Sequence, residues 1–244
     1  MNVLKAHNLR KRYAGRAVVD GVSFDVAEGE IVGLLGRNGA GKTTSFRMAM
    51  GMIPAEDGSI IFNGHDVTRL PMYRRAQRGM GYLAQEPSVF QRLTVEQNLL
   101  AILETRPLGR RQRQDKAEQL MAQFGLTRVA RQHARTLSGG ERRKLEIARA
   151  LVTEPTLILL DEPFSGVDPV AVEDLQKEIV QLRDAGIAIL VTDHNVERTL
   201  EICHRAYVMI DGRVFADGPP RDIINNDQVR KLYLGSTFRG DEFG

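Results

Sequence analysis

The run Gly36-Arg37-Asn38-Gly39-Ala40-Gly41-Lys42-Thr43 has the types and spacing of a phosphate cradle, G-x-x-x-x-G-K-[ST]. Its glycines let backbone N–H groups curl around phosphate oxygens. The helical pattern over 45–50 turns the positive end of a helix dipole on the same point. Lys42 supplies a point charge for β and γ phosphates, and the Thr43 hydroxyl suits Mg²⁺, with Thr44 next in line. The apolar run 157–160 delivers a second feature, Asp161-Glu162, at its end. Asp161 suits Mg²⁺, held largely through water, and Glu162 suits polarising the water that attacks a γ-phosphate. An acidic pair after a strand is also an ordinary cap. Its company with the Lys42 loop is what points to a nucleotide.

Leu137-Ser138-Gly139-Gly140-Glu141 stands just upstream of the acidic pair, opening a helix over 142–151. Ser138 with Glu141 three residues on forms a capping box. A capped helix start with two glycines is also an anion site, so both readings hold together.

These residues need elements to position them. The runs 31–35, 157–160 and 187–191 are continuously apolar, the pattern of strands buried on both faces of a parallel sheet. Val22, Phe24 and Val26 alternate with Ser23 and Asp25, which predicts a half-solvated antiparallel strand. Ile60-Ile61-Phe62 before Asn63-Gly64 predicts another, ending in a turn. Between Gly81 and Ser138 the period becomes helical. Val95, Leu99, Ile102 and Leu103 form one stripe, and Ala117, Leu120, Met121 and Phe124 form a second that closes at Gly125. Two strand-like runs, 206–210 and 213–216, flank Asp211-Gly212, and two short helices are expected from Pro219 and Asp227. The expected fold class is α/β, a P-loop core on a parallel sheet with an antiparallel β lobe and a helical insertion.

Composition narrows the class. The chain has 244 residues, 42% apolar and 27% charged, enough for a real core and too ordinary for disorder or a disulfide scaffold. The lone Cys203 rules out an intrachain disulfide and a multi-cysteine zinc site; behind Val196 and Leu200 at helical spacing it reads as a buried apolar residue. A net charge of +3 with only short basic clusters lacks the footprint of a nucleic-acid binder, so none is expected as a partner. The first residues carry no secretory signal, and the longest apolar run, 187–191, is far short of the ~20 residues that span a bilayer. A cytoplasmic protein is expected, with any membrane role exercised through partners.

With the Ser138–Glu141 turn in place, the chain resembles the ATP-binding cassette (ABC) ATPases, whose signature is Leu-Ser-Gly-Gly followed by Gln or Glu. The resemblance covers nearly the whole chain and implies one ABC ATPase domain. Its parts would be an antiparallel lobe over about 1–30 and 55–70, and a nucleotide core over about 31–54 and 155–218. A helical subdomain over about 86–154 and a C-terminal helical tail over about 219–244 would complete it. The family implies that Tyr13 stacks on adenine, that residues 37–44 hold ATP, and that Gln85 touches Mg²⁺ and faces the transporter. Ser165-Gly166-Val167-Asp168 would cross a dimer interface, with Asp168 part of the nucleotide site, and His194 would hold the γ-phosphate. Lys42, Gln85, Glu162 and His194 are then the catalytic set, and Thr43, Gln85 and Asp161 the Mg²⁺ set. A homodimer is implied, in which ATP on the Lys42 loop of one subunit meets Ser138 and Gly140 of the other until hydrolysis parts them.

Within that family, the stretches 78–86, 141–151, 161–169, 193–196 and 229–235 resemble the ATPases of lipopolysaccharide export. Those ATPases imply a homodimer under two integral membrane subunits, peripheral on the cytoplasmic face of the inner membrane, with lipid cargo handled by the partners. Ser88, Val89, Phe90, Arg92 and Leu93 would form the docking groove, Phe90 and Leu93 as apolar anchors and Arg92 as a polar rim. Tyr233 and Phe238 would pack across the dimer. The chain departs from that group at Arg37, where Pro is expected, at Ser165, where Ala is expected, and over 240–244, which has no counterpart. The Arg37-Asn38-Gly39 loop also resembles branched-chain amino-acid importers, the alternative cargo class. A soluble ABC ATPase acting on nucleic acid or ribosomes fits less well, because the segment between Gln85 and Ser138 is short and no second lysine loop follows. The Ser138–Glu141 turn and His194 argue against a P-loop kinase or a switch GTPase.

Overall fold

The computed structural model describes residues 1–86 and 88–235, and within them the chain divides its strands between two sheets. The first half runs β1 (Asn2–Tyr13), β2 (Arg16–Ala27), β3 (Ile31–Gly36), α1 (Lys42–Met50), β4 (Asp57–Phe62), β5 (His65–Asp66), α2 (Met72–Gln77) and β6 (Met80–Leu83). Helices α3 (Val95–Leu103), α4 (Arg110–Gln123) and α5 (Gly139–Leu151) follow. Then come β7 (Leu157–Asp161), α6 (Pro169–Asp184), β8 (Ala188–Thr192), α7 (Val196–Leu200), β9 (Arg205–Ile210), β10 (Arg213–Gly218) and α8 (Pro220–Asn225). A short helix α9 (Asp227–Val229) and a π turn (Arg230–Leu234) end the described chain.

Strands β2-β1-β4-β5 form an antiparallel sheet; β10-β9-β3-β8-β7-β6 form a second sheet, parallel except for the β9–β10 pair. The continuous apolar runs are explained by what covers each face of the second sheet. Ile158, Leu160, Ile189 and Val191 face the core shared with α3, α4, α5 and α6. Leu157, Leu159, Ala188 and Leu190 face the core shared with α1 and the antiparallel lobe. Side chains that alternate between two buried environments leave no polar position in the strand.

The helical insertion follows its stripes. Val95, Leu99, Leu103, Ala117, Leu120, Met121 and Phe124 are buried together, while Ile102 is half-buried at the edge. Helix α4 ends against Gly125, whose φ of 65° is the left-handed conformation glycine adopts at low cost. Two helices begin earlier than their apolar pattern. Helix α1 starts at Lys42 and α5 at Gly139, because a glycine turn and a Ser138 cap set the first turns where no hydrophobic period is visible.

Tyr233 is half-buried beside the cluster of Leu35, Leu200, Val208, Ile223, Ile224 and Val229 of its own chain. Phe238 lies outside the described residues. Cys203 is buried, and that burial pushes its thiol well above the ordinary range.

Candidate active site

Because β3, β6, β7 and β8 run parallel, their C-terminal ends share one edge of the sheet, where open α/β sheets bind ligands. Loops distant in sequence therefore converge there. An open cleft of about 360 Å³ is lined by residues 38–44 together with Gln85, Glu162 and His194. Gly41 at φ 97° ends the loop with no room for a side chain, since a Cβ would stand 2.6 Å from the Val18 carbonyl oxygen. That close approach is what lets the chain turn from loop into α1.

Lys42 is buried, and its Nζ donates to the loop's own carbonyls, Gly36 at 2.6 Å and Arg37 at 3.2 Å. Burial lowers its pKa, opposed by the charges of Glu162 and Asp161. An ammonium tied to backbone carbonyls is ready to exchange them for phosphate oxygens. Glu162 sits at φ 47°, a strained left-handed position for a non-glycine residue, held by its N–H donating to the Thr192 carbonyl at 2.7 Å. Both its carboxylate oxygens are engaged. Gln85 Nε2 donates to Oε2 at 2.6 Å, and His194 Nε2 contacts Oε1 at 2.7 Å. The three side chains form one unit across the mouth of the cleft.

Asp161 is buried one residue earlier, with the Tyr82 hydroxyl 3.4 Å from its Oδ2. Its carboxyl is held above the ordinary carboxylate range by burial first and by the Glu162 charge second. Thr43 and Gln85 line the cleft and Asp161 stands one residue before Glu162, so hydroxyl, amide and carboxylate oxygens are all on offer there. That chemistry fits Mg²⁺, which takes few protein ligands and completes its shell with water and phosphate.

Other expected residues stand elsewhere. Tyr13 is 48% exposed at the end of β1, outside the cleft lining, with Lys11 Nζ 5.6 Å from its ring centroid. Arg37 contributes a carbonyl to Lys42 while its side chain is exposed. Ser138 and Gly140 line a different cavity of about 210 Å³, beside Arg128 and Lys144. There Ser138 Oγ accepts from the Glu141 N–H at 3.2 Å while Glu141 Oε2 accepts from the Ser138 N–H at 3.0 Å. The Ser138 N–H and then the Ser138 hydroxyl, both donating to Glu141 Oε2, hold the Glu141 carboxyl below its ordinary range. Asp168 caps α6, accepting from the Ala171 N–H at 3.1 Å, and Val170 beside it is 74% exposed. At the expected docking groove Ser88, Phe90 and Arg92 are exposed and Leu93 is half-buried. Val89 points into the helical core, which corrects its place among the groove-surface residues.

Two constellations escaped the sequence reading. On successive turns of α5, Arg143 donates to the Ala84 carbonyl at 2.9 Å and to Glu146 at 2.9 Å, and Glu146 accepts the Ser88 N–H at 2.9 Å. Arg149 then donates to the Ser88 carbonyl at 2.5 Å and covers the Phe90 ring at 4.6 Å. The helix opened by Ser138 thus grips the backbone on both sides of Gln85. Arg75, 1% exposed, donates to the carbonyls of Met48, Ala49, Thr68 and Leu70, and so caps the far end of α1. Only their arginine-rich setting was visible in the sequence.

Residues 19–165 match the ABC transporter family. The chain is 50% identical over 240 residues to the lipopolysaccharide export system ATP-binding protein LptB of Haemophilus influenzae, covering 98% of this chain and 100% of that one. It is 52% identical over 235 residues to an uncharacterized ABC transporter ATP-binding protein of Rhizobium meliloti, covering 96% and 87%. Among solved structures it resembles the ADP conformation of MJ1267, an ATP-binding cassette of an ABC transporter. The TM-score is 0.86 at 28% identity, with 97% of this chain and 100% of that one covered.

Proposed function

The chain belongs to the ABC transporter ATPases, and from that premise we propose that it powers lipopolysaccharide export, as a homodimer docked on integral membrane subunits. It is an ATPase that binds ATP; the cargo, the partners and the roles of individual residues are the proposal. The observation that carries the catalytic part is the Glu162 carboxylate clamped between Gln85 and His194 over the Lys42 loop. The observation that carries the cargo is half-identity to LptB along the full length of both chains.

In this reading one domain does the chemistry. The N–H groups of residues 38–44 and the α1 N-terminus hold the phosphates, and Lys42 moves from the Gly36 carbonyl to them. Thr43, Gln85 and Asp161 would hold Mg²⁺, which when bound neutralises charge developing on the β and γ phosphate oxygens. Glu162 accepts a hydrogen bond from the attacking water and draws off its proton, and His194 orients that carboxylate and then the γ-phosphate. Bases of this kind contribute about 10²–10⁴-fold. Ser138 and Gly140 lie in another cavity from the Lys42 loop, and the partner subunit's copy of that turn would complete the site. Tyr13 would stack on the adenine once nucleotide is bound, and Asp168 would lie beside it at the subunit boundary.

No helix of the described residues is long and apolar enough to cross a membrane. By its likeness to LptB, the dimer would sit on the inner face of the membrane through its partners. Phe90, Arg92, Leu93 and Ser88 are the surface offered to them. The test is affinity purification from membranes with the bound proteins and lipids identified. Two integral subunits together with lipopolysaccharide are expected. Recovery of a periplasmic solute-binding protein instead overturns the cargo in favour of an amino-acid importer.

A further inference from the structure

Strand β8 ends in a hydroxyl where a methyl would serve the core. The run Ala188-Ile189-Leu190-Val191 is apolar, and Thr192 closes it at 1% exposure, with its Oγ1 bonded to nothing among the described residues. Valine would fill the same space in a strand without burying an unpaired hydroxyl, which costs stability. What stands beside that hydroxyl gives it a use. In the β7–β8 ladder Leu157 pairs with Ala188, Leu159 with Leu190 and Asp161 with Thr192. The first two pairs face the core shared with α1. Side chains alternate along a strand, so Asp161 and Thr192 stand side by side on that same face, about 5 Å apart across the sheet. The Tyr82 ring, whose hydroxyl reaches Asp161, packs on Phe46 of α1 and marks the same side. At 3.4 Å that hydroxyl is the one hydrogen-bond partner of the Asp161 carboxylate among the described residues, and it stands beyond ordinary O–H···O length. Two buried polar groups therefore lie on adjacent strands, each short of a partner.

Thr192 is fixed by its backbone surroundings. Its carbonyl accepts the Glu162 N–H at 2.7 Å, and the next residue, Asp193, accepts the N–H of Phe164 at 2.9 Å and of Asn195 at 2.8 Å. None of these bonds uses the hydroxyl. We propose that Thr192 is a positioning residue for Mg²⁺ binding, its hydroxyl donating to the Asp161 carboxylate when that carboxylate takes up its metal-holding orientation. Hydrogen bonds to a ligating carboxylate fix its direction, and losing such a partner lowers metal affinity by about 10–100-fold. The unloaded fold carries the unpaired hydroxyl as a cost that the loaded state removes. This inference rests on the proposed assignment of Asp161 to Mg²⁺.

The test uses the full chain and Thr192→Val, which keeps the branched shape and exchanges the hydroxyl for a methyl. Without Mg²⁺ or nucleotide its melting temperature should rise by about 2–4 °C, since an unpaired buried group has gone. With ATP present, the Mg²⁺ concentration for half-maximal phosphate release should rise about ten-fold or more. A binding measurement accompanies it: the extra thermal stabilisation that Mg²⁺ adds to ATP, relative to ATP in EDTA, should shrink in the same variant. Thr192→Ser keeps the hydroxyl on a smaller side chain, so it should melt no higher than the parent and restore the parent's Mg²⁺ requirement. A Val variant that melts below the parent without ligand, because the hydroxyl is already bonded, overturns the inference. So does an unchanged Mg²⁺ requirement, or one that the Ser variant fails to restore. In each of these cases the parent's own dependence on Mg²⁺ leaves the site assignment standing. A parent protein whose nucleotide binding and turnover ignore Mg²⁺ would instead remove the assignment beneath it.

Discussion

At the residue scale, the chemistry depends on keeping a carboxylate aimed while it has no substrate. Glu162 achieves this with both oxygens occupied, one by Gln85 and one by His194, in a backbone conformation held by Thr192. Glu162→Gln should therefore retain ATP binding and lower turnover by about 100-fold or more. Turnover within ten-fold of the parent protein, measured by phosphate release, would mean another group takes the proton. Asp161 poses the opposite problem. Its pKa is raised in the fold, so its charge costs stability at neutral pH, and that cost disappears as pH falls through the raised value. Asp161→Asn should raise the melting temperature at pH 7 without Mg–ATP, while abolishing Mg²⁺-dependent turnover. The stability gain should shrink as the pH is lowered; a gain that grows on acidification would contradict the burial argument.

At the scale of elements, the phosphate loop is only as well placed as the helix it opens. Helix α1 is held at its far end by Arg75, a buried cation with four backbone carbonyls as partners and Asp66 as a nearby charge. Arg75→Met removes donors from four carbonyls and should cost about 3 kcal/mol or more. For a domain of this size that is a drop of roughly 6–12 °C in melting temperature, read by calorimetry. A shift under 2 °C, taken as about half a kcal/mol, would show that water replaces the guanidinium freely. The same contrast explains what a sequence reader sees. Residues 36–43 and 137–141 are legible because phosphate chemistry demands glycine, lysine and hydroxyl at fixed spacing within one turn. The strands are legible because burial on both faces leaves uninterrupted apolar runs. Arg75 and the Arg143–Glu146–Arg149 ladder were not, since several of their partners are backbone groups 26 to 61 residues away, such as Met48, Ala49, Ala84 and Ser88, and a carbonyl has no signature in sequence. The Glu162 conformation was hidden for a similar reason: its φ of 47° is imposed by a neighbouring strand.

At the scale of the whole molecule, the Ser138 turn and the Lys42 cleft stand apart in one chain, which is what the proposed two-copy site requires. Both stand at a helix start, yet they line different cavities. Two copies related by a twofold axis would bring the turn of each to the cleft of the other, and such an interface makes two equivalent sites. Mixing two inactive variants tests this directly. Lys42→Ala loses the cradle, and Ser138→Arg blocks the turn, so each alone should be inactive in both sites of its own dimer. In a mixed dimer the intact Lys42 and intact Ser138 meet at one site while the other site carries both lesions. With random pairing half of the dimers are mixed and each has one working site of two, so turnover per protomer should recover to about one quarter of the parent value. The recovery should fall on dilution, because it depends on association of the two chains. Sites formed within a single chain would give no recovery at any mixing ratio, and that result would require the cleft and the turn to act separately.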